Sequence, residues 1–119
     1  MPSSFQTTET ALNVTLLLPL ARRYAGPFWA YAAQIIQARS AQLQAFDVGR
    51  CAQKSCSNIH ILRLMRAAGV TVDSVSLGEI ERARGAGYQP GGEEIVVTAD
   101  LFDQPTLERV AALQVPVNA

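Results

Sequence analysis

The chain has 119 residues, a length that suits one ordinary domain, and 49% of them are apolar, as in a globular core. Ten acidic and ten basic residues balance, and no basic cluster exceeds Arg22-Arg23, so we expect neither a nucleic-acid nor an anionic-membrane partner. Two cysteines and one histidine are too few for a structural zinc site, so we expect no metal and two buried, reduced thiols. The apolar run at residues 16–20 is short, contains Pro19 and has no basic segment before it, which argues against a secretory signal and for a cytoplasmic protein.

The first third of the chain predicts helices and one short strand. Residues 1–10 are polar and are expected to be loose. The segments that follow are a helix at 11–24 that Pro19 interrupts and Gly26 caps, a short aromatic strand at 28–31, and a helix at 32–45. We therefore expect residues 1–31 to form an amino-terminal helical segment with a short strand.

From residue 48 onward, predicted strands alternate with predicted helices. Ser57 and Asp103 are expected to cap the first and third of these helices, and Gly69 and Gly87 to end the first and second. Alternation of this kind predicts parallel strands joined by right-handed helical crossovers. The predicted strands span 48–53, 71–76, 94–99 and 115–119, and the helices between them span 58–68, 78–86 and 104–113.

Two α/β architectures fit this order of elements: an open doubly wound sheet and part of a (β/α)8 barrel. No Gly-x-Gly-x-x-Gly follows a strand, so the dinucleotide-binding version of the open sheet lacks its motif. A complete barrel takes about 250 residues, so this chain has about half of the necessary elements. The pattern of elements leaves both architectures open.

Lys54 is the only lysine of the chain, whereas nine arginines supply the other basic side chains. It lies where a predicted strand meets the start of a helix, and an α/β barrel keeps its chemistry at such carboxyl ends of strands. An amine at this place can form a Schiff base with a carbonyl compound or an aldehyde cofactor. An ordinary surface lysine is the alternative, and position alone leaves the two interpretations open.

Ala52 and Asp73 belong to the same neighbourhood if strand alternation continues to Lys54. Arg50, Ala52 and Lys54 would then share one face, and the small Ala52 would leave room for a flat ring or pack beside a larger neighbour. Arg50 would lie deeper and would require a carboxylate partner. Asp73 lies one predicted strand later, where it could face inward and pair with Lys54 or a bound cofactor, or face water at the strand entrance.

Two further polar residues have plain structural interpretations. Ser76 and Glu79 have the spacing of a capping box at a predicted helix start, so Glu79 is expected to cap the helix instead of taking part in catalysis. His60 lies off the apolar face of its helix and is expected at the surface.

The residues around Lys54 closely resemble the cofactor-lysine segment of bacterial diaminopimelate decarboxylases. The first matching segment reads Ala52-Gln53-Lys54-Ser55-Cys56-Ser57-Asn58-Ile59-His60-Ile61 and continues to residue 66. The match extends through Val72-Asp73-Ser74-Val75-Ser76-Leu77-Gly78-Glu79, then through residues 98–100, 106–110 and 117–119. It is dense over residues 46–119 and weaker over 26–45. The motif Asn58-Ile59-His60-Ile61 favours this family over ornithine and arginine decarboxylases and alanine racemases, which share the barrel and the lysine.

The resemblance implies a fold-type-III enzyme that uses pyridoxal 5′-phosphate. Its fold would be an alanine racemase-like (β/α)8 barrel of the α/β class, with about four parallel strands and covering helices in residues 32–119, not closed within this chain. Lys54 would be the catalytic residue and would hold the cofactor through a Schiff base. Asp73 matches the family's carboxylate near the lysine and cofactor, and Ala52 matches a residue that lines the ring site. The reaction would convert meso-diaminopimelate to L-lysine, and the full-length enzyme would be a homodimer.

The resemblance also implies which parts of the site this chain does not supply. The family's ring-stacking histidine, glycine-rich phosphate loop, acidic partner of the pyridine nitrogen and substrate-binding arginine lie beyond the position of Ala119. So does the β-domain that completes the dimeric active site. Ala32, Gly49 and Cys51 depart from the family's usual residues. We therefore expect an amino-terminal fragment that is inactive alone.

Two alternative functions stay open. The chain could belong to a related barrel decarboxylase that acts on ornithine or arginine. It could also be a non-catalytic half-barrel that binds pyridoxal phosphate and self-associates.

Overall fold

The computed structural model describes residues 12–98 and 102–118, which contain five α-helices and four strands. The predicted α/β class is confirmed, while the polar segment 1–10, Ala99 and Ala119 lie outside the described residues. No described helix has both the length and the apolarity needed to cross a membrane. The elements are α1 (Val14–Arg23), α2 (Ala33–Ala41), β1 (Arg50–Ala52), α3 (Ile59–Ala67), β2 (Thr71–Ser74), α4 (Leu77–Ala86), β3 (Ile95–Thr98), α5 (Gln104–Ala112) and β4 (Val117–Asn118).

The four strands form one parallel sheet in the order β1-β2-β3-β4, so neighbours in the sheet are consecutive strands of the chain. The register pairs Ala52 with Asp73, and Asp73 with Val96. A helix connects each strand to the next, which makes three overlapping βαβ units. The outer edges of β1 and β4 have no strand partner in the described part of the chain, so the sheet is open there.

The hydrophobic core lies on one face of this sheet. Val72 in β2 and Val97 in β3 are completely buried, because alternate side chains of a strand point to the same face. The core comprises Leu62, Val72, Ile80, Ala83, Ala86, Tyr88, Ile95, Val97, Val110 and Val115. The opposite face, termed the open face, carries only exposed or half-buried side chains: Arg50, Ala52, Thr71, Asp73, Val96 and Thr98.

The buried Tyr88 side chain is hydrogen-bonded to α3 and to the connection between α3 and β2. Its hydroxyl donates hydrogen bonds to the carbonyl oxygens of Val70 at 2.9 Å and Leu62 at 3.2 Å. Burial raises the pKa of Tyr88, which keeps the hydroxyl a donor.

The start of α4 shows the predicted capping box. The Ser76 hydroxyl oxygen accepts a hydrogen bond from the Glu79 backbone N–H at 3.3 Å, and the Glu79 carboxylate accepts one from the Val75 N–H at 2.8 Å. Asp103 caps α5 as expected, because its Oδ1 accepts a hydrogen bond from the Thr106 N–H at 3.0 Å. Glu79 therefore has a structural role, as the sequence predicts.

The predicted cap of α3 is wrong by one residue. Asn58 is the N-cap, and its Oδ1 accepts hydrogen bonds from the N–H groups of His60 at 2.9 Å and Ile61 at 3.4 Å. The Ser57 hydroxyl instead donates to the carbonyl of Gln53 at 3.3 Å. His60 is exposed, as expected.

Two of the three predicted glycine stops are confirmed. Gly69 follows the cap of α3 with φ of 76°, and Gly87 caps α4 with φ of 105°, a left-handed conformation that favours glycine. Gly26 is not such a cap, since α1 ends at Tyr24 in an extended conformation. Pro19 does not interrupt α1 either, because the helix continues to Arg23.

The short strand predicted at residues 28–31 is wrong. These residues have no strand partner in the described part of the chain, and Trp29 is 90% exposed. The Tyr24 and Phe28 rings lie 5.8 Å apart, and both line a groove of about 490 Å³ beside Leu16 and Leu20 of α1. Phe28 therefore lies beside the end of α1 instead of in a strand.

Asp103 makes the stability of the fold depend on pH. Hydrogen bonds from Thr106 lower the pKa of Asp103 below its ordinary value of 3.8. A carboxyl group whose pKa is lowered by folding stabilises the fold above its unfolded pKa and loses that contribution as pH falls through the folded pKa. We therefore expect the urea midpoint of the wild-type chain to fall more steeply below about pH 4 than that of Asp103→Asn, whose cap is neutral. Parallel pH profiles for the two chains, measured by circular dichroism, would contradict this.

Candidate active site at the end of the first strand

The chain turns immediately after β1, and Lys54 lies in that turn. β1 ends at Ala52, and Gln53–Ser55 form a short 3-10 helix, termed the Lys54 turn. The Ser55 hydroxyl donates to the Ala52 carbonyl at 2.8 Å, and the Cys56 N–H donates to the Gln53 carbonyl at 3.0 Å. These two bonds close the turn and place Lys54 at the carboxyl end of β1, where the sequence predicts it.

The strand predicted to include Gln53 ends at Ala52, because Gln53–Ser55 form a 3-10 helix. The alternation of burial nevertheless continues to Lys54, since Arg50, Ala52 and Lys54 are exposed and the residues between them are not. Gln53 is completely buried, and Lys54 is exposed. None of the ion pairs of the described residues involves Lys54, so the structure does not show the predicted pairing with Asp73.

Ala52 and Asp73 are direct neighbours on the open face. The register pairs them across β1 and β2, so their side chains leave the sheet on the same side. The flanking residues Val72 and Ser74 are completely buried on the other face, whereas Asp73 is half-buried. Asp73 therefore has the inward orientation, toward the face that would line a barrel.

One oxygen of Asp73 is a buried acceptor that a bound group could satisfy. Its Oδ1 atom is shielded from solvent and has no hydrogen-bond partner among the described residues. A shielded acceptor without a donor costs about 1–3 kcal/mol. A ligand with a hydrogen-bond donor or positive charge near Ala52 would satisfy this oxygen.

Arg50 does not have the predicted carboxylate partner. It is exposed, and its Nη1 donates to the backbone carbonyl of Glu93 at 3.0 Å. Because the side chain keeps contact with solvent, a buried counter-charge is unnecessary.

Tyr31 reaches the same strand end from the amino-terminal segment. The Cys56 thiol and the Tyr31 hydroxyl lie within hydrogen-bond distance, 3.9 Å apart, and the hydrogen bond with Cys56, together with negative charge on its sulfur, raises the pKa of Tyr31. Cys51 and Cys56 are free and half-buried, not fully buried as expected, and burial raises the pKa of Cys51. The sequence gives no signal for the contact between Tyr31 and Cys56, because it joins separate segments.

These residues fit the carbonyl end of pyridoxal 5′-phosphate. Lys54 supplies an accessible amine at a strand end, the small Ala52 leaves space beside it, and Asp73 offers an unsatisfied acceptor. The end of β1 therefore supplies an exposed amine, and the open face beside it supplies a small side chain and an unsatisfied acceptor.

Comparison with known proteins assigns the family. Residues 32–119 match the family model described as "Pyridoxal-dependent decarboxylase, pyridoxal binding domain". The whole chain is 60% identical to the diaminopimelate decarboxylase of Escherichia coli (strain K12) and 50% identical to that of Buchnera aphidicola subsp. Schizaphis graminum. The chain spans 29% of the length of each of these relatives.

Solved structures share the fold. A crystal structure of diaminopimelate decarboxylase is 59% identical with a TM-score of 0.88, over 99% of this chain and 28% of that chain. The Helicobacter pylori diaminopimelate decarboxylase complexed with L-lysine is 27% identical with a TM-score of 0.71, over 86% of this chain and 27% of that chain. An ornithine decarboxylase from Entamoeba histolytica, at 20% identity and a TM-score of 0.74, shows the fold alone.

These comparisons confirm the predicted fold, an unclosed part of a (β/α)8 barrel, and the predicted cofactor class. The family match covers most of the chain, and the likeness in structure extends over nearly all of it. The chain belongs to the pyridoxal-dependent decarboxylases and contains residues of their pyridoxal-binding domain.

Proposed function

We propose that this chain supplies the cofactor lysine of a diaminopimelate decarboxylase, which converts meso-diaminopimelate to L-lysine. The observation that carries the proposal is the geometry at the end of β1: Lys54 follows the strand directly, and Ala52 and Asp73 lie side by side on the open face. The 60% identity to the Escherichia coli enzyme supports it, because that identity extends over the whole chain.

Each of the three residues has a distinct role. Pyridoxal 5′-phosphate, when bound, supplies a ring that accepts the electrons released as carbon dioxide leaves. Lys54 would hold this group through its amine and would carry a proton when that amine is free. Ala52 keeps the space beside the amine clear. Asp73 Oδ1, which has no partner among the described residues, would accept a hydrogen bond from the bound group and balance positive charge on it.

We further propose that residues 32–119 form the first half of the pyridoxal-binding barrel and residues 1–31 a separate amino-terminal segment. The family match that begins at residue 32 supports this division. A homodimer is proposed for the complete enzyme, and the cytoplasmic location expected from the sequence stays a prediction.

A graft tests the proposed activity. The chain replaces the matching segment of the Escherichia coli enzyme, and carbon dioxide release is measured with meso-diaminopimelate, ornithine and arginine. We expect release from diaminopimelate alone. The 119-residue chain by itself should release none, because the family's phosphate loop and ring-nitrogen partner are expected outside it.

The other outcomes of the graft identify the alternatives. Release from ornithine or arginine would favour a related decarboxylase that acts on one of these amino acids. An inactive graft that still binds pyridoxal phosphate would favour the non-catalytic half-barrel. Robust lysine production by the 119-residue chain alone would contradict the expectation that it is inactive.

A further inference from the structure

We propose that Gln53 is a positioning residue for Lys54, and that its buried side chain, together with Ser57, fixes the turn that presents the lysine amine. This inference rests on the proposed function of Lys54 and adds to it a residue that does not touch the cofactor.

Gln53 is the centre of the hydrogen bonds that define the Lys54 turn. Its carbonyl accepts from the Cys56 N–H at 3.0 Å and from the Ser57 hydroxyl at 3.3 Å. The Ser57 hydroxyl also lies 3.5 Å from the side-chain Oε1 of Gln53. Ser57 in turn accepts through its carbonyl from Nη1 of Arg82 in α4, at 3.5 Å. Gln53 is thus bonded to Cys56 and Ser57 within the turn, and Ser57 connects the turn to α4.

The burial of Gln53 is costly for stability. The residue has no exposed surface, and its Nε2 has no hydrogen-bond partner among the described residues. The Ser74 Oγ of β2 is also buried without a partner among the described residues. A buried donor without an acceptor destabilises a fold, whereas an apolar residue of similar size would fill the same space without this penalty. A glutamine here breaks a packing rule next to a proposed cofactor lysine, which is where such exceptions are expected.

The position of Gln53 also explains the direction of Lys54. The glutamine is held on the core side of the sheet, so the next residue of the turn projects away from the core, and Lys54 is exposed. Without Oε1, the Ser57 hydroxyl keeps only the carbonyl as an acceptor in this turn. The turn then gains freedom, and the lysine amine spends less time in the geometry that binds an aldehyde.

The test compares Gln53→Met with Gln37→Met, a matched change at an exposed glutamine of α2. Pyridoxal phosphate is titrated into each chain, Schiff-base absorbance gives the apparent Kd, and thermal unfolding is followed separately. We expect Gln53→Met to raise the Kd about fivefold, the factor that corresponds to one net hydrogen bond. Its unfolding midpoint should stay unchanged or rise, because an unsatisfied amide is removed. Gln37→Met should change neither quantity.

Ser57 provides a second pair of variants. Ser57→Ala should weaken cofactor binding to a similar extent, and Ser57→Thr, which keeps the hydroxyl, should restore it. Hydrogen exchange at the Cys56 amide, measured without cofactor, should be faster in Gln53→Met than in the wild type.

Three results would overturn the proposal. An unchanged Kd in both Gln53→Met and Ser57→Ala would show that the turn does not depend on these groups. A fall in the unfolding midpoint that accounts for the loss of binding would give Gln53 a purely structural role. No Schiff base in the wild-type chain would refute the proposed function of Lys54 and this inference together, which separates that failure from the first two.

Discussion

Borohydride reduction of the chain in the presence of pyridoxal 5′-phosphate is expected to label one internal peptide, the one that contains Lys54. Lys54 is the only lysine, so the amino terminus is the only other amine that can form a Schiff base. The lysine is exposed and follows β1 directly, with the unsatisfied Asp73 oxygen on the neighbouring strand. Peptide mass mapping after reduction identifies the labelled residue, and Lys54→Arg, which keeps the charge but cannot form a Schiff base, should abolish the internal label.

A variant with a second lysine tests whether the site or mere exposure decides the result. Arg63 is exposed on α3, away from the Lys54 turn. In Arg63→Lys the label should stay at Lys54, because the introduced amine lies in the middle of α3 and not at the end of a strand. Equal labelling of both lysines, or labelling confined to the amino terminus, would show that Lys54 is an ordinary surface lysine.

The isolated chain is also expected to associate through its sheet edges. β1 and β4 present unpaired backbone groups within the described residues, and such edges recruit other chains. Val117 in β4 is 49% exposed. Beside β1 lies a groove of about 450 Å³, lined by apolar side chains of α2, α3 and the segment between α2 and β1, among them Ile35, Ile36, Leu43, Phe46 and Met65.

We expect a second copy of the chain to pair with these edges. Two copies would bring together eight parallel strands, with β1 of each copy beside β4 of the other, and would close a barrel with two-fold symmetry. Val117→Lys places a charge at that contact and should convert a defined dimer to monomer or aggregate. Arg63→Lys, far from both edges, should leave the dimer intact. Sedimentation of a compact monomer that melts cooperatively at micromolar concentration would contradict the prediction.

The elements from β1 to β4 could be predicted because each has a local signal. Asp103, Ser76 and Gly87 act at helix ends through their own hydrogen bonds or backbone freedom, so the sequence defines them without tertiary context. The position of Lys54 at a strand end follows from the same local pattern.

The details of the site could not be predicted, because they depend on contacts between separate segments. Strand alternation predicts Lys54 in phase with Ala52, and the buried Gln53 agrees with it, but the pattern does not predict the 3-10 turn that follows Ala52. The Ser57 hydroxyl donates to the Gln53 carbonyl, and Asn58, one residue later, is the cap of α3. The turn and the helix cap depend on which polar groups find hydrogen-bond partners after the sheet has packed. The spacing of apolar residues in the sequence does not predict those partners.

Strand order in this sheet follows chain order, so every strand pair closes a loop of roughly twenty residues. Loops of this length lose little entropy on closure and form quickly. β1 and β2 can pair as soon as α3 lies between them, before β3 and β4 have left the ribosome. Each later helix and strand then adds to the edge that the preceding unit exposes. The molecule can therefore be assembled in the direction of synthesis, and its first unit already contains Lys54, Ala52 and Asp73.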